Sequence, residues 1–218
     1  MATWVVHLRV AENILKTLRN IDEAAFYIGS IAPDSGRMVD DFTYLPPKDV
    51  SHWKREGVSY EQRFEDNAEF FYKYAQNEQD RRMFSFYLGY YVHILTDTIY
   101  VRDIIHPFMF GRGRDVWRAN IKAIRKGWYE MDCRFLAKNS PYRPLELIGA
   151  ENRFENETLD YFAHDDITER IRYAYDFYKN AQCDPTAELI THDEQKSDEI
   201  VEYASDFIRN LLKTKHNI

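Results

Sequence analysis

The sequence predicts an all-α protein, a multi-helix bundle that forms a single domain over residues 1–218. Apolar residues recur at intervals of three and four, as from His7 to Leu18, which is typical of amphipathic helices. No stretch alternates as a strand does, and no change in composition separates two domains. A chain that is 44% hydrophobic and 30% charged has the composition of a packed globular protein.

Four helices are predicted in the first half of the chain. Thr3 is a suitable N-cap for the first helix, whose apolar face reaches Leu18. The second helix ends before Pro33, because the residue preceding a proline is disfavoured in the helical conformation. The fourth helix is the most apolar. The second, third and fourth helices are predicted at about residues 22–31, 59–76 and 80–101.

Three more helices are predicted after residue 110, with Ser197 as the N-cap of the last one. They cover about residues 115–136, 166–181 and 197–213. Residues 33–57 are rich in proline and glycine and are predicted to form a long loop. A second loop is predicted around Pro141, Pro144 and Gly149. Long loops within compact domains are often functional, so the first loop is a place to look for a site.

The charge of the chain bears on its partners. A net charge of −7 argues against nucleic acid, because neutralising phosphates requires clustered lysine and arginine. Basic residues do cluster between Gly111 and Arg125, and this cluster is predicted to be a solvated helix face. The sequence leaves the oligomeric state open.

The sequence also bears on the compartment. Its two cysteines, Cys133 and Cys183, do not suggest a disulfide framework, so a reducing compartment is expected. The N-terminus lacks the form of a signal peptide, and no apolar run approaches the roughly 20 residues that a membrane span needs. These observations predict a cytoplasmic protein without stable membrane insertion.

The fourth predicted helix carries the first candidate site. No Asp, Glu, Lys or Arg occurs from Met83 to Thr96, and Asp97 then follows. His93 and Asp97 are one helical turn apart and share a face, so both side chains should point inward. Buried carboxylates are normally paired or metal-bound, and imidazole and carboxylate are ordinary zinc ligands. A buried His–Asp hydrogen bond, or an aspartate that faces water, remains an alternative.

Three more candidate ligands come from other segments. His7 lies on the apolar face of the first helix, Asp34 directly follows Pro33, and His52 lies late in the long loop. Each has an ordinary explanation by itself: a hydrogen-bonded core histidine, an aspartate in a turn and a surface histidine.

Together, four segments resemble the zinc-dependent phospholipase C family. They are His7–Leu15 (HLRVAENIL), Gly29–Asp34 (GSIAPD), Ser51–Trp53 (SHW) and Gly89–Asp97 (GYYVHILTD). The resemblance covers roughly the first half of the chain, and the order and spacing of the motifs are more specific than any one motif. The family shares its fold with zinc-dependent single-strand nucleases.

The resemblance implies an all-helical fold with a metal cluster at one end of the bundle. It implies that Asp34, His52, His93 and Asp97 bind one zinc ion. It further implies that His7 binds a neighbouring metal, which Asp97 bridges to the first.

The second half of the motif set departs from the family pattern. The remaining zinc of the family is bound by a histidine after the H-x-x-x-D motif and by an H-x-x-x-E helix. Here Asp103 stands near the first position with His106 slightly beyond it, and Asp132 is the nearest analogue in the later helix. These three residues are therefore additional candidates, and one or two zinc ions are predicted rather than three. Iron and manganese are alternatives, because histidine and carboxylate ligands serve all three metals.

The resemblance implies a metal-dependent hydrolase that acts on a small phosphate ester, as a phosphodiesterase or phospholipase C-like enzyme, through a metal-bound hydroxide. In this interpretation Asp34 is also catalytic and orients or deprotonates the attacking water. The alternatives are a metal-binding helical protein without catalytic activity and a helical interaction module. The sequence does not identify the phosphate ester.

Overall fold

The structure is a computed structural model that describes residues 2–40 and 43–218. It confirms the all-α prediction. Helices α1 to α10 span Trp4–Leu15, Glu23–Gly29, Lys48–Ser51, Tyr60–Phe70, Arg81–Tyr100, His106–Arg112, Arg114–Lys138, Arg143–Glu151, Asp166–Lys179 and Glu194–Leu211. Single π-helical turns extend α4, α5 and α10 over Phe71–Ala75, Val101–Ile105 and Leu212–His216, and a 3₁₀ turn covers Ala32–Asp34. Strands β1 and β2 span Arg37–Asp40 and Thr43–Leu45.

The predicted helix starts depend on side chains that cap the free backbone N–H groups. Thr3 caps α1 as predicted, by accepting a hydrogen bond from the Val6 N–H. The prediction for the last helix is wrong. Asp193 rather than Ser197 caps α10, by accepting a 2.8 Å hydrogen bond from the Lys196 N–H. The helix therefore begins earlier than predicted.

Several short elements were not predicted. Helix α8 occupies the stretch predicted as a loop around Pro144, because a proline in the first helical turn needs no hydrogen bond there. Within the predicted loop 33–57, α3 forms and β1 pairs with β2 in an antiparallel hairpin. The strands are too short for an alternating pattern, and their apolar residues Met38, Val39 and Leu45 are exposed.

Helix α5 forms the centre of the molecule. Every residue from Ser85 to Tyr100 is buried, and α5 packs against α1, α2, α4 and α10. Its closest approach is to α2, where Gly29 and Gly89 face the opposite backbone. A Cβ added at Gly29 would lie 2.0 Å from the Phe86 carbonyl oxygen, and one at Gly89 would lie 2.1 Å from that of Phe26. These glycines therefore allow a short distance between α5, which carries His93 and Asp97, and α2, which leads into the turn that ends at Asp34.

The expectation that the cysteines stay reduced is wrong. Cys133 on α7 forms a disulfide with Cys183, which follows α9. This correction removes one argument for a cytoplasmic location, which stays a prediction. Within residues 2–40 and 43–218, no helix combines the length and the apolar character that crossing a membrane requires.

Candidate metal centre

The five predicted ligands lie together in the interior, and we name them the central cluster: His7, Asp34, His52, His93 and Asp97. All five are buried. His7 comes from α1, Asp34 ends the 3₁₀ turn after α2, His52 follows α3, and His93 and Asp97 come from α5. Segments that are far apart in the chain therefore supply one compact group of imidazoles and carboxylates.

Distances within the central cluster are those of side chains that share one small space. The Nε2 atom of His52 lies 3.5 Å from Asp34 Oδ1 and 3.5 Å from Asp97 Oδ2. The Nε2 atoms of His7 and His93 lie 3.4 Å and 3.9 Å from the Asp97 carboxylate. Two overlapping sets of three residues have ligand atoms within 4.8 Å of one another. These sets are His7, His93 and Asp97, and Asp34, His52 and His93.

Hydrogen bonds at the outer nitrogens fix the orientation of two imidazoles. His93 Nδ1 lies 2.8 Å from the Ser30 carbonyl oxygen. Because a carbonyl only accepts, Nδ1 carries the proton and the neutral ring keeps its lone pair on Nε2. His52 Nδ1 is likewise 2.9 Å from the Ser51 hydroxyl, so its Nε2 faces the cluster. Metal-binding histidines are commonly oriented in this way.

The inner nitrogens of the cluster have no hydrogen-bond partner among the described residues. This holds for Nε2 of His52 and His93 and for both ring nitrogens of His7, all of them buried. The His7 and His93 rings also stack, with centroids 3.6 Å apart and planes 6° from parallel. Leaving buried polar atoms unpaired destabilises a protein by about 1–3 kcal/mol each. A divalent cation would satisfy one nitrogen of each ring, including Nε2 of His52 and His93, so the donor set fits a metal.

The two aspartates are held as carboxylates. Asp34 accepts a 3.0 Å hydrogen bond from the Trp4 indole N–H and a hydrogen bond from the Lys48 ammonium. Asp97 accepts a 2.8 Å hydrogen bond from the backbone N–H of Ala2. Burial alone would raise the pKa of both carboxyls. The Lys48 ammonium nevertheless holds the pKa of Asp34 well below its usual range, and the pKa of Asp97 also lies well below its usual range, because hydrogen bonding and neighbouring charge outweigh burial.

Two histidines of the cluster have pKa values shifted toward the neutral ring. Burial lowers the pKa of His52 and lowers the pKa of His93 well below its usual range, because a charged imidazole loses its hydration there. Neutral imidazole is the form that binds metal, and ionised carboxylate is the matching oxygen ligand. Asp34, Asp97, His52 and His93 are therefore in the protonation states that a divalent cation requires.

The additional candidates Asp103, His106 and Asp132 do not join the central cluster in the described structure. Asp103 accepts hydrogen bonds of 2.6 and 2.8 Å from Arg102, and His106 is bonded to the Tyr60 hydroxyl. Asp132 is buried, and its oxygens accept hydrogen bonds of 2.7 Å from Thr3 and 2.6 Å from Tyr178.

The cluster opens to solvent through a cleft of about 730 Å³ that Asp34 lines. Lys48 and Trp4, the two side chains bonded to Asp34, also line it and were not predicted as site residues. A signal for Lys48 was present in the sequence. Lys48 and His52 are four residues apart, so once α3 forms they lie on the same side.

Fold and site together define the class of molecule: an all-helical protein with a buried candidate metal centre of histidine and aspartate. The family itself is identified by comparing the chain with models of protein families. The model described as zinc dependent phospholipase C matches residues 6–217, nearly the whole chain, so the chain belongs to this family. The match confirms the resemblance and extends it into the second half of the chain. No curated protein and no solved structure shows a significant match to the chain.

Proposed function

We propose that this chain is a metal-dependent hydrolase of phosphate esters and that the central cluster is its metal centre. The observation that carries the proposal is the set of buried ring nitrogens without partners, which face two ionised carboxylates. Membership of the zinc dependent phospholipase C family supports both the zinc and the hydrolytic chemistry.

Asp34, His52, His93 and Asp97 would hold one ion, and His7 would hold a second one next to Asp97. Zinc is the metal that these ligands and the family favour, with iron and manganese as alternatives. When bound, the metal supplies Lewis acidity toward a phosphoryl oxygen and makes water nucleophilic near neutral pH.

Asp34 is the proposed catalytic side chain because it belongs to the cluster and also lines the cleft. Its lowered pKa makes it a weak base, so orienting a water by accepting a hydrogen bond suits it better than removing a proton. The Trp4 indole N–H donates a hydrogen bond to Oδ2 of Asp34 and so orients this carboxylate. The Lys48 ammonium forms a salt bridge with Asp34 and lines the cleft, where it is placed to contact an anionic substrate.

The test is hydrolysis of bis(nitrophenyl) phosphate by protein loaded with zinc, manganese or iron. We expect turnover with at least one metal and a loss of about 100-fold or more in Asp34→Asn, the lower range for a lost acid–base or orienting group. Asp103→Asn is the matched control, because it makes the same change at a carboxylate held by Arg102 outside the cluster. Absence of turnover with all three metals would favour the alternative of a non-catalytic metal-binding protein.

A further inference from the structure

The charged side chains of the cleft are not balanced. The cationic residues that line it are Arg37, Lys48, Arg125 and Arg170, and the acidic ones are Asp34, Asp166 and Glu169. Lys48 forms a salt bridge with Asp34, and a second salt bridge joins Arg37 Nε to Asp166 Oδ1 at 3.1 Å. Arg125 and Arg170 form no salt bridge with any side chain in the part of the chain that the structure describes, and the one remaining acid, Glu169, leaves four cationic residues against three acidic ones. The cleft therefore retains positive charge besides that of any metal.

Arg170 is placed next to the central cluster. Its Nη2 donates a 3.2 Å hydrogen bond to the Gly36 carbonyl, two residues after Asp34. Its guanidinium carbon lies 5.2 Å from the ring centre of Trp4, whose indole N–H bonds Asp34. The Arg170 Nε atom is buried and has no hydrogen-bond partner among the described residues. A cation is thus held rigidly beside a candidate metal ligand without an anion of its own.

An aromatic wall connects Arg170 on α9 with Arg125 on α7. Its rings are Trp4, Tyr173, Phe177 and Tyr129, and successive centroids are 5.9, 6.2 and 5.2 Å apart. Arg125 lies one turn before Tyr129, and Arg170 lies one turn before Tyr173. Both arginines line the cleft, and the Arg170 guanidinium lies over the Trp4 and Tyr173 rings of this wall.

We propose that Arg125 and Arg170 form an anion subsite, separate from the metal centre, which selects phosphate esters that carry a second negative charge. The inference rests on the proposed function, because it assumes that the phosphoryl group lies at the central cluster. Arginine suits this role, since its planar guanidinium pairs with carboxylate or phosphate through two parallel hydrogen bonds. The substrate class is then an acidic phosphoester rather than a neutral or zwitterionic one.

The test measures binding of three small phosphate monoesters to the metal-loaded protein by calorimetry. Phosphoethanolamine, ethyl phosphate and phosphoglycolate share the phosphate and its first methylene, which carries a positively charged aminomethyl, a neutral methyl or a negatively charged carboxylate group. We expect phosphoglycolate to bind most tightly and phosphoethanolamine least tightly. Each step should be roughly tenfold, the factor that one hydrogen bond to a charged group supplies.

Arg125→Gln and Arg170→Gln should each remove most of the preference for phosphoglycolate, while ethyl phosphate binding changes little. Arg170→Lys should restore part of the preference because it keeps the charge. Arg118→Gln is the control. Arg118 is an exposed arginine on the same helix as Arg125, but it does not line the cleft. Arg125 is exposed, so its variant keeps the test valid if Arg170→Gln fails to fold.

Equal binding of the three ligands by the unaltered protein would overturn the subsite, as would an unchanged preference in Arg125→Gln. Tightest binding of phosphoethanolamine would also overturn it and would indicate that Glu169 dominates the cleft. A retained preference for phosphoglycolate without phosphodiester turnover would leave the subsite standing and contradict only the proposed hydrolysis.

Discussion

The chemistry of the central cluster depends on which nitrogen of each imidazole faces the interior. The Ser30 carbonyl accepts a hydrogen bond from Nδ1 of His93, and the Ser51 hydroxyl is hydrogen-bonded to Nδ1 of His52. Both rings therefore direct Nε2 toward Asp34 and Asp97. The outer partners are part of the site, because rings that are free to turn would lose this shared direction.

Removing the Ser51 hydroxyl tests whether its hydrogen bond orients the His52 ring. We predict that Ser51→Ala weakens zinc affinity about 10- to 100-fold, the usual effect of losing an outer hydrogen bond to a metal ligand. Competition with a chromogenic chelator measures the affinity. Ser205→Ala is the control, since this buried serine bonds the Val201 carbonyl on α10. Equal affinity of Ser51→Ala and the unaltered protein would contradict the orienting role.

A second prediction concerns Asp132. Burial, opposed by hydrogen bonds from Tyr178 and Thr3, raises the pKa of Asp132 to about 7, against about 4 for an aspartate in an unfolded chain. The folded state thus binds this proton more tightly. The resulting stability is complete below about pH 4 and is lost as the pH rises to about 7.

Relative to Asp132→Asn, the unaltered protein should therefore lose about 3 kcal/mol of unfolding free energy between about pH 5 and pH 8. Urea denaturation at both pH values measures this difference. A constant difference between the two proteins would show that Asp132 titrates normally.

Single residues were predictable where a motif named them. His7, Asp34, His52, His93 and Asp97 were all predicted, and the structure gathers them. Their partners were not predicted, because a backbone carbonyl such as that of Ser30 leaves no trace in the residue types. The same reason applies to Arg170, whose contacts with Trp4 and Gly36 join segments that are remote in the chain.

At the scale of elements, the crossing of α2 and α5 positions the site. Gly29 and Gly89 allow the two backbones to touch, which brings the Ser30 carbonyl within hydrogen-bonding distance of His93. We predict that Gly89→Ala destabilises the fold by about 3 kcal/mol, because the added methyl group collides with backbone atoms of α2.

Thermal or chemical unfolding measures this loss. Gly111→Ala in α6 is the control, since a Cβ there meets no atom within 4 Å. That change should be neutral or stabilise the protein by up to about 1 kcal/mol, as alanine is the better helix former. Similar stability of the two variants would contradict the close crossing.

The disulfide joins α7 to the segment after α9 and closes a loop with a sequence separation of 50 residues. Loop-closure entropy for that length predicts that Cys133→Ser lowers the unfolding free energy by about 4 kcal/mol. Denaturation with and without a reductant measures the effect, and the reductant should leave the variant unchanged. Two free thiols in the folded, oxidised protein would contradict the bridge.

Long helices were predictable because their apolar periodicity extends over several turns, as in α5 and α7. Short elements were not. Helix α8 was hidden by Pro144 and Gly149, and the β1–β2 hairpin is too short and too exposed to show a pattern. The Cys133–Cys183 pairing was missed because two cysteines show no framework, and only the packing of α7 against the segment after α9 brings them together.

On the scale of the whole molecule, the bundle brings α1, α5 and the loop after α2 to one interior point. This convergence was predictable only through the resemblance to the family, whose model matches residues 6–217. The charge of the cleft was not predictable in this way, because it depends on Arg125 of α7 and Arg170 of α9, which belong to no common motif. The fold and the candidate ligands therefore follow from the sequence more directly than the substrate does.

The central claim is that a cation lies among the imidazoles and carboxylates of the cluster, and elemental analysis of the protein purified without added metal tests it most directly. We predict one or two divalent ions per chain, chiefly zinc, and loss of most of this metal in His93→Ala and in Asp97→Ala. His164→Ala, at an exposed histidine paired with Asp165, should keep its metal. A folded protein without stoichiometric metal, or with full metal content in the His93 and Asp97 variants, would contradict the claim.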